Sequence, residues 1–226
     1  MNFSIHHCVY ANILLRAKYL KNPVVYMAEN RVQLIVVFIM GLVMGAAVVM
    51  LVSESGLCQQ GATTVVEKQN ATITLLPNKA YYLWALKLVE RANKSIHIVV
   101  YVMKYDPKEP PSSDPVNMLL LKLVEAKNRG VDVKVVVDDV TLRSYPKTIQ
   151  YLKANGISVR LDPKGGVTTH AKIVIVDGEW IIIGSHNWTE SALSNNNEYS
   201  VLIRSKSLAK KVEEYFDGLW SLGRLP

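Results

Sequence analysis

Apolar positions recur along the chain in three patterns, and each predicts a different kind of element. The first is uniform: Leu34–Val52, LIVVFIMGLVMGAAVVMLV, runs for nineteen residues without a charge. That is close to the roughly 20 residues a helix needs to cross a hydrocarbon core. The second pattern is short and branched. Thr72–Leu76, Ser95–Met103, Val131–Val137, Ile157–Leu161, Ala171–Val176, Glu179–Ile183 and Glu198–Ile203 read as strands, set off by turn-forming Gly, Pro, Asn or Asp. The third is helical. Asp114-Pro115 looks like an N-cap followed by proline at the first helical position, and Val116, Leu119, Leu120, Leu123 and Val124 follow at i, i+3, i+4, i+7 and i+8. Lys79–Ala92, Pro146–Ala154 and Ser207–Leu222 read as further helices, the last with Leu208, Val212, Tyr215, Phe216 and Leu219 inward. Strands alternating with helices predict an α/β sandwich around a mixed, largely parallel sheet.

These patterns divide the chain into a segment 1–33, a spanning helix 34–52, a polar linker 53–70 and a folded domain 71–226. Arg16, Lys18, Lys21 and Arg31 precede the spanning helix, against Glu29, while Glu54, Glu67 and Lys68 follow it. The positive-inside bias puts the N-terminus in the cytoplasm and the folded domain outside. The alternative is a cleaved signal, since Ser53-Glu54-Ser55 offers small residues at cleavage-like spacing. Gly41 and Gly45 form the G-x-x-x-G spacing that lets two membrane helices approach closely.

Charge and cysteine content narrow the classes. The formal net charge is +7, and residues 71–226 keep 21 Lys and Arg against 16 Asp and Glu, so the folded domain is basic in its own right. That balance favours polyanionic partners or a negative membrane surface. The two cysteines, Cys8 and Cys58, both precede the domain, which excludes an internal disulfide framework and a cysteine zinc site there. Cys58 reads as a free thiol, with a bridge to its counterpart in a second chain in an oxidising compartment as the alternative. Arg143, Lys147, Lys153, Arg160 and Lys164, interleaved with Tyr145 and Tyr151, would suit a nucleic-acid track, and a solvated helix face explains the lysines nearly as well.

The richest chemistry lies in Val167–Ile203. His170, Lys172 and Asp177 stand as H-x-K-x-x-x-x-D, Gly184, Ser185 and Asn187 follow as G-S-x-N, and Glu198 comes later. Asp177-Gly178 between two branched runs is a hairpin signal. Strand alternation puts His170 and Lys172 on one face at the strand mouth, while Asp177 has the opposite parity and would brace rather than touch substrate. Gly184 would let backbone approach a bound anion. An imidazole, an ammonium, a hydroxyl and an amide converging on one sheet end suit a phosphate. Asp138-Asp139 reads as a turn feature, with part of the cleft rim as the alternative, and His97, inside a strand, as a structural histidine.

This constellation resembles the HKD motif of the phospholipase D superfamily, whose members hydrolyse or transfer phosphodiesters. The resemblance covers about residues 71–222 and implies the phospholipase D-like sandwich. It implies two catalytic histidines, one attacking phosphorus to give a phosphohistidine and one protonating the leaving oxygen. Only one motif copy is present, and His186 is the variable residue of G-S-x-N. His170 must therefore meet its mate in a homodimer, as in single-motif members such as small secreted bacterial endonucleases and a mitochondrial outer-membrane protein. Glu198 matches the acid that holds the ring nitrogen facing away from phosphorus. Lys172, Ser185 and Asn187 would hold phosphate oxygens, and Asp177 keeps the family position in the catalytic set. No cofactor or metal is implied. Nucleic acid is the first expectation for substrate and phospholipid the alternative. A catalytically idle, tethered nucleic-acid-binding protein is a third.

Overall fold

The structure is a computed structural model that describes residues 70–226. The expected spanning helix 34–52, the segment 1–33, both cysteines and all but the last residue of the linker lie outside the described residues. Among the described residues no helix is long and apolar enough to cross a membrane.

Strand β1 (Thr72–Pro77) leads through helix α1 (Ala80–Arg91) to β2 (Ser95–Val100), and α2 (Pro115–Asn128) leads to β3 (Asp132–Val137). Helices α3 (Asp139–Ser144) and α4 (Pro146–Ala154) precede β4 (Ser158–Leu161). The hairpin β5 (Lys172–Val176) and β6 (Trp180–Gly184) follows, then α5 (Glu190–Ser194), β7 (Tyr199–Arg204) and α6 (Lys206–Leu222). The seven strands form one sheet in the order β1-β7-β6-β5-β2-β3-β4.

The sheet is mixed, as expected, but the expectation of a largely parallel one is corrected. Only β2–β3 and β3–β4 pair in parallel, while β1–β7, β7–β6, β6–β5 and β5–β2 are antiparallel. The helical crossover from β1 to β2 does keep those two strands running the same way. What the element order could not reveal is that β5, β6 and β7 insert between them, so the two are never neighbours.

Local chemistry sets the element ends. The Asp114 carboxylate caps α2, accepting from the backbone N–H of Val116 at 2.7 Å and Asn117 at 3.1 Å. In the β5–β6 turn Glu179 N–H donates to the Val176 carbonyl at 3.1 Å, and the central residues Asp177 and Gly178 sit at φ 55° and 63°. Two positive φ angles are what the tight hairpin turn demands. The apolar pattern does not mark the short helices α3 and α5, and β2 ends at Val100 rather than Met103.

Alternation then sorts the strands' side chains to two faces. Ile96, Ile98 and Val100 of β2, Val133, Val135 and Val137 of β3, and Val174 and Val176 of β5 join one core with residues of α1 and α2. Val99, Val136, Ile173, Ile175 and Ile181 point the other way, against Ala209 and Phe216 of α6. The result is a three-layer sandwich. At one end of the sheet lie the last residues of β2, β3 and β6 and the first residues of β5 and β7.

Candidate active site

That end carries His170, exposed, immediately before β5. Its position is held from behind. Thr169 N–H donates to Asp138 Oδ2 at 2.8 Å, and the same carboxylate caps α3 through Val140 N–H at 2.9 Å. Asp138 is thus a turn residue, as its sequence context suggested, and also the brace for the residue next to His170. Nothing in the spacing of residues 138 and 169 announced that bond.

Lys172, on the same strand face, is buried, and its Nζ donates to the His170 carbonyl at 2.7 Å and meets His170 Nδ1 at 2.9 Å. An ammonium has no lone pair, so Nδ1 accepts this bond, and a neutral ring so engaged carries its proton on Nε2. Tyr101, at the exit of β2, closes the cluster. Its ring lies 4.6 Å from the His170 ring and 5.1 Å from Lys172 Nζ, in cation–π range. Burial pulls the Lys172 pKa below its ordinary value, and the negative charge of Glu198 opposes that shift. The sequence alone does not mark Tyr101, because a tyrosine just past an apolar strand reads as ordinary core.

Glu198 stands just before β7, two strands away from His170, and no hydrogen bond joins the two within the chain. Its carboxylate accepts instead from Ser185 Oγ and from Asn196 Nδ2, the latter at 3.0 Å. Burial raises the Glu198 pKa. The hydrogen bonds from Ser185 and Asn196, with the charges of His186 and Lys172, outweigh burial and leave the carboxyl below its ordinary range. Ser185 Oγ also accepts from Tyr199 N–H at 3.0 Å, so its hydroxyl orients Glu198 rather than standing free for a phosphate. Asn187 Oδ1 accepts from Val102 N–H at 3.2 Å, which leaves the Nδ2 amide to donate outward. Trp188 N–H donates to Val102 O at 3.0 Å and Lys104 N–H to Trp188 O at 2.9 Å, so the β6 exit and the β2 exit are laced together.

The remaining residues of the pattern go elsewhere. Asp177 lies at the opposite end of β5 from His170, where it accepts from the backbone N–H of Asn93, Lys94 and Ser95. It braces, as its parity indicated, but it braces the loop entering β2 and is not brought to the site. Gly184 has a reason other than a bound anion: a Cβ there would collide with the Cα and Oγ of Ser200 on β7. His186 is fully buried, stacked on Tyr81 at 4.3 Å, with Nδ1 2.7 Å from Ser200 Oγ and Nε2 3.0 Å from the Asn78 carbonyl. Burial lowers its pKa, against the Asn78 bond and the Glu198 charge. His97 sits on the other face of the sheet, stacked on Phe216 and 2.7 Å from Glu213. The basic and aromatic set is not one track: Arg160 lies over Trp220 on the α6 side, whereas Tyr151 stacks on Tyr105 on the other. Among the described residues no group of three or more His, Cys, Asp or Glu is placed to hold a metal ion.

The family model for the "Cardiolipin synthase, PLD-like domain" matches residues 85–220, well over half of the chain and all of this site. The chain belongs to the phospholipase D superfamily. It is 30% identical over 135 residues to the mitochondrial cardiolipin hydrolase of Xenopus tropicalis, covering 60% of this chain and 59% of that one. It is 28% identical over 145 residues to the phospholipase D of Rickettsia prowazekii, covering 64% and 65%. The human 5'-3' exonuclease PLD4 is 31% identical over 146 residues, 61% of this chain but 29% of its own length. The alignments thus span only part of each relative. Among solved structures, the phospholipase D family member Nuc of Salmonella typhimurium superposes with TM-score 0.57 at 28% identity, over 70% of this chain and 97% of that one. The superfamily is one of phosphodiesterases.

Proposed function

We propose that this phospholipase D-like protein cleaves nucleic acid without a metal, through a phosphohistidine on His170, in a centre completed by a second chain. One observation carries the reading. Of the three histidines among the described residues, His97 and His186 are committed on both ring nitrogens, while His170 is exposed at the sheet end beside a buried lysine. A double displacement needs two imidazoles, so each chain supplies one.

In the first step a bare Nε2 attacks phosphorus and the P–O bond to the leaving group breaks. The second His170 gives its Nε2 proton to the departing oxygen. That second ring, now neutral and bare, takes a proton from water as the water oxygen attacks the phosphohistidine and the P–N bond breaks. The donor is therefore an imidazolium, protonated on both ring nitrogens, and in that copy the Lys172 contact to Nδ1 gives way. The attacking copy is a neutral ring with its proton on Nδ1 and its Nε2 bare, so substrate must make the two copies unlike. Lys172 and the Asn187 amide face the phosphate oxygens, and Glu198 balances the lysine charge.

The basic balance of residues 71–226 favours nucleic acid. The names of the Xenopus and Rickettsia relatives favour phospholipid as the second reading. We place the domain outside the cytoplasm, tethered by residues 34–52. The full chain, with chelator, is incubated with single- and double-stranded DNA, RNA and cardiolipin-containing vesicles. Cleavage of nucleic acid that survives chelator and vanishes in His170→Ala is the expected result. Cleavage of lipid alone would install the second reading, and binding without cleavage would leave a nucleic-acid-binding protein.

A further inference from the structure

His170 lies outside the β5 ladder. The first ladder residue of β5 is Lys172, paired with Val100 of β2, so the backbone of His170 takes its direction from loop 162–169. Among the described residues the only backbone bond closed within that loop runs from Val167 N–H to the Lys164 carbonyl at 3.2 Å. Its course is set instead by carboxylates and one guanidinium. Arg224, just past α6, is pinned to β4, where its N–H donates to the Leu161 carbonyl at 3.1 Å and its own carbonyl accepts from Leu161 N–H at 2.9 Å. From there Nε donates to the Asp162 carbonyl at 2.9 Å, and Nη2 donates to Asp162 Oδ1 at 2.9 Å and to Asp139 Oδ1. One side chain thus ties the first residue of the loop to the first residue of α3. The loop folds back over the tie, since a Cβ on Gly165 would stand 3.6 Å from Asp139 Oδ2 and 3.7 Å from Arg224 Nη1. Its far end is held by the neighbouring acid, Asp138, through Thr169 N–H.

We propose that Arg224 is a positioning residue for His170, holding loop 162–169 on the course that aims Nε2 at phosphorus; this rests on the phosphohistidine reading of the site. Three carboxylates, Asp138, Asp139 and Asp162, interact at the root of the loop, and like charges there repel unless a cation joins them. Arg224 is that cation. The Asp162 side chain is only 2% exposed, so water cannot take the cation's place. Burial and the charges of Asp139 and Asp138 push the Asp162 pKa up, and the Arg224 bond and charge oppose them. Arg143 also approaches Asp139, but at 3.7 Å and with its side chain 67% exposed, which is too loose to substitute. A planar guanidinium bonds a carbonyl and two carboxylates in one fixed geometry, which the point charge of a lysine does not reproduce. Without it Asp139 and Asp162 push apart, α3 carries Asp138 along, and Thr169 moves with Asp138. A displacement of about 1 Å at the reacting atoms is enough to slow a reaction by about 10²-fold.

The test uses the full chain and two substrates: single-stranded DNA, and bis(p-nitrophenyl) phosphate, which offers a phosphodiester and little else to grip. Arg224→Ala is expected to lower kcat about 10- to 100-fold on both, with KM held within about twofold, at a temperature where circular dichroism shows the variant folded. Asp139→Ala should bring a similar loss, and Arg224→Ala added in that background should lower kcat by no more than about threefold further, since the tie is already cut. An unchanged kcat in the folded Arg224→Ala protein makes Arg224 a stability residue and overturns the positioning role. A KM that rises on DNA with kcat held makes it a direct contact to the polyanion and overturns the role too, as does full additivity of the two losses. Should Arg224→Ala fail to fold, Arg224→Lys decides: a kcat lowered at least about threefold with KM held supports the fork, and full kcat overturns it. Wild type and His170→Ala turning over alike would instead overturn the reading of His170 itself, and the role of Arg224 with it.

Discussion

Replacing Asp177 by alanine should cost stability and leave chemistry alone. Its Oδ1 accepts from Lys94 N–H at 2.7 Å and Ser95 N–H at 3.1 Å, and Asn93 N–H reaches both oxygens at 3.1 Å. Bonds to a charged acceptor are worth about 1.5–3 kcal/mol each when water cannot replace them. The Asn93 and Lys94 bonds are exposed, so water recovers most of theirs, and the part-buried Ser95 bond leaves about 1–2 kcal/mol. The residue also sits at φ 55°, a left-handed conformation that aspartate tolerates and alanine adopts at a further cost of about 1–2 kcal/mol. The sum is about 2–4 kcal/mol. For a domain of this size that lowers the melting temperature by roughly 4–16 °C. Asp177→Asn keeps the conformational tolerance and one acceptor oxygen, so its loss should be about half. Thermal unfolding followed by circular dichroism, with turnover measured at 25 °C on the folded protein, gives both quantities. A variant that keeps its melting temperature and loses turnover would refute the assignment and return Asp177 to the catalytic set.

Two further outcomes follow from the same geometry. Gly184→Ala puts a methyl group against backbone of β7 that cannot move aside, so it should destabilise by about 1–3 kcal/mol, read as a lowered denaturant midpoint. Glu198→Gln should lower turnover, and its stability cost should depend on pH with a fixed sign. The folded carboxyl titrates below its ordinary value, so its contribution is complete above the unfolded pKa of about 4.3 and is lost as pH falls through the folded value. The gap in melting temperature between wild type and variant should therefore hold steady from about pH 8 to about pH 5 and close below that. A gap that widens on acidification would contradict the hydrogen-bond network around Glu198.

Much of this protein was legible from residues close in sequence. The β5–β6 hairpin followed from Asp177-Gly178 between two branched runs, and the α2 cap from Asp114-Pro115. His170 and Lys172 fell on one strand face by alternation alone. Asp177's opposite parity already set it apart from them. These features are local, so a few consecutive side chains and the stereochemistry of one turn determine them. The tertiary structure decided the rest. Strand order cannot be read along the chain, because β5–β7 enter between β1 and β2 from the far end of the domain. The same insertion places Ser200 against Gly184 and stacks His186 on Tyr81, fixing one residue as a spacing requirement and another as core. The Asp138 carboxylate on Thr169 N–H, Tyr101 on His170 and Ser185 on Glu198 join residues 13 to 69 positions apart. Sequence supplies the functional groups and their local geometry, but a hydrogen bond forms only within about 3 Å, and across a folded sheet that distance is set by which strands become neighbours.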